Sequence, residues 1–415
     1  MDFFLSVQLH FTINQDNRFS KFYQHPASSP EKFSLEETAK VRAFHSSFPQ
    51  YQPTPLRSLP QLAKLLGVGG IYVKDESFRF GLNAFKGLGG SYAMGKYLAE
   101  RLGLDISELP FARLTGAEVK ERLGNITFAT TTDGNHGRGV AWTAKMLQQK
   151  AVVYMPKGST EYRLEAIRQE GAVAEIMDWN YDDTVRYTAR RAAEEGWVIV
   201  QDTAWEGYEE IPLWIMQGYA TMADEALEQL KQDHALAAPS HVMIQAGVGS
   251  LAGMIQGVLA ARYGVARPCL AVVEARQADC LYRSAVANEG SPHAVGGDLN
   301  TIMAGLACGE ANYMGWELLR DYGEFFFSCS DEVAARGMRV LGNPLRGDAQ
   351  VISGESGAVP LGLLSLLLER GEWREAKEMM GLSPQSQILL FSTEGDTDPQ
   401  RYRDIVWDGS YFSSR

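Results

Sequence analysis

Residues 151–201 read AVVYMPKGSTEYRLEAIRQEGAVAEIMDWNYDDTVRYTARRAAEEGWVIVQ and contain three short apolar runs. The runs at 151–155, 172–177 and 197–201 have the length and the β-branched content of strands. The two stretches between them place apolar residues at every third or fourth position, as amphipathic helices do. A strand–helix–strand–helix–strand order predicts a parallel sheet whose crossover connections are helices.

The same alternation continues over most of the chain from residue 71. The other predicted strands lie at 71–74, 126–131, 241–245, 270–274, 325–328 and 387–391. The predicted crossover helices lie at 161–170, 181–195, 211–232 and 250–263. Most of these strands are continuous apolar runs, which is typical of strands covered on both faces. The sequence therefore predicts an α/β protein built on open parallel sheets.

Two segments depart from this alternation. The first 50 or so residues are rich in aromatic residues, Ser and Pro, and we expect an irregular arm there. Residues 234–240, HALAAPS, follow a long predicted helix, so we expect the chain to enter a second α/β unit near them.

Composition limits the class of partner. The 415 residues suffice for two or three domains, and 45% hydrophobic with 22% charged residues is typical of folded proteins. The net charge is −12 with Lys and Arg scattered along the chain, which argues against nucleic acid or an anionic membrane as a partner. We expect a small-molecule partner instead.

Targeting and cysteine patterns indicate a cytoplasmic protein. The N-terminus has no basic leader followed by a long apolar stretch, and the longest apolar patch, at 358–368, is too short to span a bilayer. Cys269, Cys280, Cys308 and Cys329 match neither a disulfide scaffold nor paired zinc ligands. Free thiols and no metal site are predicted.

The first of three candidate loops is KDESFRFGLNAFKGLGG at 74–90. Lys86 stands where a helical pattern begins, between apolar Phe85 and Leu88. A lysine in apolar surroundings loses ammonium solvation, so its amine becomes a nucleophile. The alternative is a solvent-facing lysine that begins a helix.

The second loop, TTTDGNHGRG at 130–139, joins a predicted strand to a helix predicted at 140–149. Ligands of open α/β sheets bind just beyond strand carboxyl ends, so a polar, glycine-spaced turn here is a candidate site. The alternative is that its Asp and Asn only cap the following helix.

The third loop, QAGVGSLAG at 245–253, follows a strand and opens a helix. Glycine-freed backbone amides at a helix N-terminus form a site for a phosphate dianion. The loop also fits a dinucleotide fingerprint with Glu274 as the ribose acid, and tight packing alone would explain its glycines.

Together the loops resemble those of the fold type II pyridoxal-phosphate enzymes, the group that includes serine/threonine dehydratases, threonine synthase and cysteine synthase. Those enzymes carry a Phe-Lys loop, a Gly-Asn-His loop, a glycine-rich phosphate loop and a late Ser or Thr, in that order. Here the same order is Phe85-Lys86, the Gly-Asn-His at 134–136, the loop at 247–250, and Ser392-Thr393. The match covers most of the chain from residue 54.

Within that group the chain is most similar to the diaminopropionate ammonia-lyases. The features are NAFK ending at Lys86, TTTDGNHGR at 130–138, QDTAW at 201–205 and AGLACG at 304–309. Ordinary dehydratases usually have a small Ser or Ala where this chain has Asp133.

The resemblance implies pyridoxal 5'-phosphate as the cofactor, bound covalently to Lys86 in a cleft between two parallel-sheet domains. It implies that Asn135 contacts the ring hydroxyl and that Ser392 or Thr393 faces the pyridine nitrogen, with Glu355 near the ring. The implied phosphate ligands are the backbone amides of Gly247, Val248, Gly249, Ser250 and Leu251. A neutral hydroxyl at the pyridine nitrogen suits elimination better than transamination.

Two carboxylates receive substrate-directed roles. Asp133 could take the α-proton from the face opposite Lys86, so that both D- and L-substrates react, provided that burial raises its pKa toward neutrality. Asp202 could bind the β-ammonium of 2,3-diaminopropionate, with Thr132 as a further substrate contact. The alternatives are a helix cap for Asp133 and a strand-end turn for Asp202.

The predicted reaction is α,β-elimination of 2,3-diaminopropionate to pyruvate and two ammonia. A serine/threonine dehydratase is the close alternative, although its substrates carry no β-cation for Asp202. A non-catalytic relative and a dinucleotide-binding protein are the more distant alternatives.

The predicted domains are a small one at 85–202 and a large one at 1–84 and 203–415, and the resemblance implies a homodimer.

Overall fold

The computed structural model describes residues 8–13, 29–132 and 134–412, which form two compact units. Of the described residues, unit 1 comprises those within 1–30, 54–78 and 225–415, and unit 2 comprises those within 31–53 and 79–224. Each unit has its own sheet.

The strands of the described residues are short and mostly apolar. They are β1 (Leu9–Ile13), β2 (Leu56–Ser58), β3 (Gly70–Asp75), β4 (Thr127–Thr131), β5 (Lys150–Met155), β6 (Val173–Ile176), β7 (Val198–Ile199), β8 (His241–Gln245), β9 (Cys269–Ala275), β10 (Phe325–Cys329) and β11 (Gln387–Ser392).

The α-helices lie mainly between the strands. They are α1 (Leu35–Ser46), α2 (Pro60–Leu66), α3 (Gly87–Leu102), α4 (Phe111–Leu114), α5 (Ala117–Leu123), α6 (Asn135–Met146), α7 (Glu161–Gln169), α8 (Tyr181–Glu195), α9 (Glu210–His234), α10 (Ser250–Tyr263), α11 (Cys280–Ala287), α12 (Tyr313–Tyr322), α13 (Asp331–Gly342), α14 (Glu355–Glu369), α15 (Arg374–Met380) and α16 (Pro399–Val406).

The sheet of unit 1 has the order β1-β10-β9-β8-β11-β3-β2. Its five inner strands are parallel, and β1 and β2 add to the edges in antiparallel orientation. Every residue of β8 and β10 is buried, because the sheet is covered on both faces. The inner strands β8 and β11 are neighbours, so their carboxyl ends lie side by side. Open α/β proteins bind ligands just beyond the carboxyl ends of their strands.

Helices α13 and α14 cover one face of that sheet and touch backbone to backbone. A Cβ atom at Gly337 would lie 2.0 Å from the carbonyl oxygen of Ala358, and one at Gly362 would lie 1.9 Å from that of Val333. Both distances are far inside van der Waals contact, so only glycine fits at these two positions.

The sheet of unit 2 has four parallel strands in the order β6-β5-β4-β7. Helix α3 packs against α6, and α8 packs against β4. Strand β7 is only two residues long, and the polar residues that follow it belong to the candidate site.

All nine predicted strands are present, which confirms the α/β prediction. Strands β1 and β2 were not predicted. Strand β2 has only three residues, whereas Leu9, Phe11 and Ile13 of β1 alternate with polar residues, a strand pattern that was overlooked among the aromatic residues of the N-terminal segment. The expectation of an irregular arm over the first 50 residues is wrong where α1 forms, since Ser34 caps a twelve-residue helix there.

The chain passes from unit 2 to unit 1 between residues 224 and 225, within α9. The predicted entry point at 234–240 is instead the loop between α9 and β8, because α9 continues without a break across the division. The limits at 84/85 and 202/203 stay a prediction about domains. Unit 2 of the structure also includes residues 31–53, 79–84 and 203–224.

Within the described residues, no helix has both the length and the apolar content needed to cross a membrane. The apolar patch at 358–368 lies in α14, whose residues are buried in unit 1 as far as Leu367. All four cysteines are free thiols, and Cys280 and Cys329 are buried.

We expect Gly337→Ala to destabilise the protein, because the added methyl group would force α13 and α14 apart. Overpacking of this kind costs about 1–3 kcal/mol. Thermal unfolding followed by circular dichroism measures the change. Gly371→Ala is the matched control, since a Cβ there meets nothing within 4 Å. Equal unfolding midpoints for the two variants would contradict the close approach of α13 and α14.

Candidate active site

Lys86 lies immediately before α3 and is held out of water. Its side chain is 18% exposed, and its Nζ forms an ion pair with the carboxylate of Asp202. The same Nζ lies 5.8 Å from the centroid of the Phe85 ring. An apolar wall and one carboxylate therefore surround the amine, and the alternative of a solvent-facing lysine is wrong.

Glycines allow α6 to pack directly against the backbone at Lys86. A Cβ atom at Gly139 would lie 2.9 Å from the nitrogen of Gly87 and 3.0 Å from the carbonyl carbon of Lys86. Any larger residue at 139 would push the two helices apart. The spacing of the GNHGRG loop thus has a packing reason, and this packing brings the start of α6 to the lysine.

Asp202 is positioned by Gln201, the residue before it. The side-chain oxygen of Gln201 accepts hydrogen bonds from the backbone nitrogen of Thr131 at 2.9 Å and from the hydroxyl of Thr130 at 3.0 Å. The backbone nitrogen of Gln201 donates to the buried hydroxyl of Tyr208 at 2.8 Å. These bonds extend the pairing of β4 beyond the end of β7 and fix the backbone that carries Asp202.

The charge of Asp202 is stabilised by its neighbours. Burial acts to raise the pKa of Asp202, but the positive charge of Lys86, that of His136 and the hydrogen bond from Lys86 outweigh burial and lower the pKa to about 2. Asp202 is therefore a carboxylate at every physiological pH. The buried lysine keeps a permanent counter-ion.

His136 is a further neighbour of this ion pair, and the sequence analysis assigns it no role beyond the Gly-Asn-His motif. Its Nε2 donates to the carbonyl of Val200 at 2.7 Å, and its Nδ1 lies 4.0 Å from Asp202 Oδ2. Because a carbonyl oxygen only accepts, Nε2 carries a proton, and Nδ1 is the nitrogen on the side of Asp202.

The remaining residues of the second loop line the start of α6. Thr132 is buried, and its hydroxyl accepts from the backbone nitrogens of Gly134 at 2.9 Å and Gly137 at 3.0 Å, so Thr132 caps the helix. Asn135 is the first residue of α6 and is half-buried. Asp133 lies outside the described residues.

The third loop, in unit 1, offers backbone amides to an anion. Gly249, at φ +91°, begins α10 without any side chain that caps the first turn. Buried Asn312 holds the loop, since its backbone nitrogen donates to Val248 O at 2.7 Å and its amide donates to the hydroxyl of Ser250 at 2.8 Å. All five residues at 247–251 are buried.

Glu274 decides against the dinucleotide alternative. Its side chain is fully buried and accepts hydrogen bonds from the backbone nitrogens of Leu281 at 2.9 Å and Tyr282 at 2.6 Å. Burial raises the pKa of Glu274 despite these two bonds. Because the side-chain oxygens of Glu274 already accept from backbone nitrogens at the start of α11, Glu274 is not placed to bind a ribose.

The ends of β8 and β11 carry a second polar group of unit 1. The Gln245 amide donates to the hydroxyl of Thr393 at 2.7 Å, while the Ser392 hydroxyl makes only a 3.4 Å bond to Glu394 O. The buried Gln245 Oε1 and Ser356 Oγ have no hydrogen-bond partner within the described ranges. Glu355 is buried at the start of α14.

These residues fit pyridoxal phosphate, unit by unit. Unit 1 supplies an uncapped helix N-terminus for a phosphate dianion and buried polar atoms whose partners are missing. Unit 2 supplies a lysine amine in low-polarity surroundings, with a carboxylate and an imidazole beside it.

Sequence reasoning missed several supporting residues. Gln201 and Gln245 each end an apolar strand, so their position could have indicated a role. Asn312 and Tyr208 lie in loops whose pattern carries no such signal, and only the fold brings them to these places.

Comparison with known proteins agrees with this chemistry. Residues 48–382 match the family described as pyridoxal-phosphate dependent enzyme. A diaminopropionate ammonia-lyase of Salmonella typhimurium is 53% identical over 371 residues, which cover 89% of this chain and 92% of that protein. An L-threonine dehydratase of Haemophilus influenzae is 26% identical over 201 residues, which cover only 48% of this chain.

Solved structures give the same grouping. The crystal structure of the diaminopropionate ammonia-lyase of Escherichia coli in complex with D-serine superposes with a TM-score of 0.90 at 48% identity and covers 99% of both chains. The fold type II prediction is confirmed. This chain belongs to the pyridoxal-phosphate dependent enzymes and, within them, to the diaminopropionate ammonia-lyase family.

Proposed function

We propose that the chain converts D- and L-2,3-diaminopropionate and water to pyruvate and two ammonia. The observation that carries the proposal is the buried Lys86–Asp202 ion pair. A dehydratase substrate has a β-hydroxyl group and needs no second carboxylate. A substrate with a β-ammonium does, and Asp202 is ionised at every physiological pH.

Lys86 is proposed to hold the cofactor and to act as one base. When bound, pyridoxal phosphate withdraws electrons from the substrate's α-carbon and thereby acidifies the α-proton. Lys86 Nζ takes that proton from one enantiomer. This step requires the neutral amine, which Lys86 becomes when it gives up its proton and leaves Asp202.

Asp133 is proposed to take the α-proton of the other enantiomer from the opposite face. A single base can reach only one face of a planar ring, so two bases explain turnover of both enantiomers. This role rests on the position of Asp133 in the TTDGNHG motif.

Asp202 is proposed to bind the β-ammonium group of the substrate, with Thr132 as a further contact. The carboxylate changes partner from the Lys86 ammonium to the substrate's ammonium, so the buried negative charge stays compensated. Asp202 then holds the leaving nitrogen in its protonated form, which departs as ammonia when the β-carbon–nitrogen bond breaks.

The other proposed contacts hold the cofactor. The backbone amides at 247–251 bind its phosphate, Asn135 contacts the ring hydroxyl, and Ser392 or Thr393 faces the pyridine nitrogen. The hydroxyl of Thr393 accepts from Gln245 and keeps its own proton for donation, while the hydroxyl of Ser392 donates to Glu394 O at 3.4 Å.

The product of elimination is 2-aminoacrylate, which reacts with water to give pyruvate and the second ammonia. A homodimer and a cytoplasmic location are part of the proposal. Four free thiols suit a reducing compartment, and fold type II enzymes are usually dimers.

The product ratio tests the function. Purified full-length protein is supplied with pyridoxal phosphate and with D- or L-2,3-diaminopropionate, and both ammonia and pyruvate are counted. We expect two ammonia per pyruvate from each enantiomer, little turnover of L-serine and L-threonine, and none by the Lys86→Ala variant. One ammonia per keto acid from serine or threonine alone would make the protein a dehydratase.

Asp202→Asn removes the carboxylate without changing its size. We expect kcat/KM for both enantiomers to fall about 10²-fold, as for the loss of one partner of a buried charge pair. Steady-state kinetics measure the effect. Because the pKa of Asp202 is lowered to about 2, the wild-type pH profile should show no Asp202 ionisation between about pH 5 and 9.

Asp183→Asn serves as the control for Asp202→Asn. Asp183 lies on the same unit but pairs with Arg186 at the surface, where an ion pair contributes little. Near-equal kinetics for the Asp202 variant and this control would show that Asp202 has no part in the reaction.

Asp133→Asn should lower the turnover of one enantiomer of diaminopropionate much more than that of the other. We expect kcat for one enantiomer to fall by about 10²-fold or more, as for loss of a general base, while the other enantiomer retains most of its rate. Turnover of each pure enantiomer measures the ratio. An equal loss of kcat for both enantiomers would indicate that Asp133 only caps the following helix.

A further inference from the structure

Tyr219 is a buried tyrosine of unit 2 that the proposed reaction does not use. It lies on α9 and is 1% exposed. Its hydroxyl has no hydrogen-bond partner among the residues that the structure describes. A buried hydroxyl without a partner is unfavourable, and phenylalanine would fill the same space without that cost.

The surroundings of Tyr219 belong to the lysine. Its ring centroid lies 4.7 Å from that of Phe85, the ring over which the Lys86 amine lies. A Cβ atom at Gly89, in the first turn of α3, would lie 2.5 Å from Tyr219 Cε1 and 2.9 Å from Cζ. The phenol end of Tyr219 therefore contacts the segment that carries Lys86, and glycine at 89 makes room for it.

The charges that act on this phenol are those of the ion pair. Burial raises the pKa of Tyr219, and the charges of Lys86 and Asp202 act on it in opposite directions. The hydroxyl thus stays protonated over the working pH range and is a permanent hydrogen-bond donor. An ammonium group has no lone pair and cannot accept a hydrogen bond from the phenol, whereas a neutral lysine amine can.

We infer that Tyr219 is a positioning residue that donates a hydrogen bond to Lys86 Nζ when this amine is neutral and has left Asp202. The amine then has two partners, the carboxylate for its charged form and the phenol for its uncharged form. The hydroxyl favours the nucleophilic form of Lys86 and holds it beside Phe85. The hydrogen bond itself does not depend on the proposed function. The reaction that the neutral amine performs rests on the proposed function.

The experiment measures the protonation of Lys86 directly. The full-length protein before addition of cofactor is reductively methylated with formaldehyde over a range of pH, and modification of the peptide containing Lys86 is quantified by mass spectrometry. We expect Tyr219→Phe to raise the midpoint of Lys86 labelling by about 0.5–1 pH unit, because one hydrogen bond to the neutral form is lost. Tyr92→Phe is the control, a buried tyrosine of the same unit.

Two further readouts separate positioning from a structural role. With cofactor and diaminopropionate, Tyr219→Phe should lower kcat about fivefold or more and change KM less than about twofold. Its thermal unfolding midpoint should equal or exceed that of the wild type, because an unpartnered buried hydroxyl is removed.

An unchanged labelling midpoint would overturn the inference, whatever happens to kcat. A fall in unfolding temperature would also overturn it, by making the hydroxyl structural. If the wild type has no lyase activity, the proposed function fails, yet the labelling midpoints still decide the role of Tyr219.

Discussion

Everything in unit 2 depends on keeping one lysine amine out of water and next to one carboxylate. Lys86 and Asp202 are both largely buried, and burial of either charge alone would cost several kcal/mol. One set of hydrogen bonds and one packing feature make the arrangement possible. Gln201 extends the sheet so that Asp202 stands at its end. Gly139 lets α6 approach the backbone at Lys86, and Gly89 makes room for side chains of α9 beside the same segment.

The two units contribute different chemistry. Unit 1 offers mainly backbone amides and buried hydroxyl or amide groups, held by the rigid ends of parallel strands. Unit 2 offers the ionisable side chains. Backbone amides at a helix N-terminus suit a phosphate dianion, whereas the side chains of Lys86 and Asp202 form a buried ion pair.

Much of this was accessible from the sequence, for physical reasons that differ between residues. The inner strands were predicted because doubly covered strands are continuous apolar runs. Lys86 was predicted from the resemblance of its loop to a known family, and Asp202 from its place at a strand end. The edge strand β2 and helix α1 were missed, since three residues or a weakly amphipathic helix leave little pattern. Tyr219 was missed because nothing in α9 distinguishes it from core aromatic residues until the fold places its ring on Phe85.

The central claim is that Lys86, and no other lysine, is the covalent cofactor site. Borohydride reduction of the full-length protein loaded with pyridoxal phosphate, followed by peptide mass spectrometry, tests it in one measurement. The account predicts a single pyridoxyl adduct, on Lys86, that disappears when the protein is unfolded before loading. An adduct on a different lysine, or none under conditions in which the enzyme turns over, would contradict it.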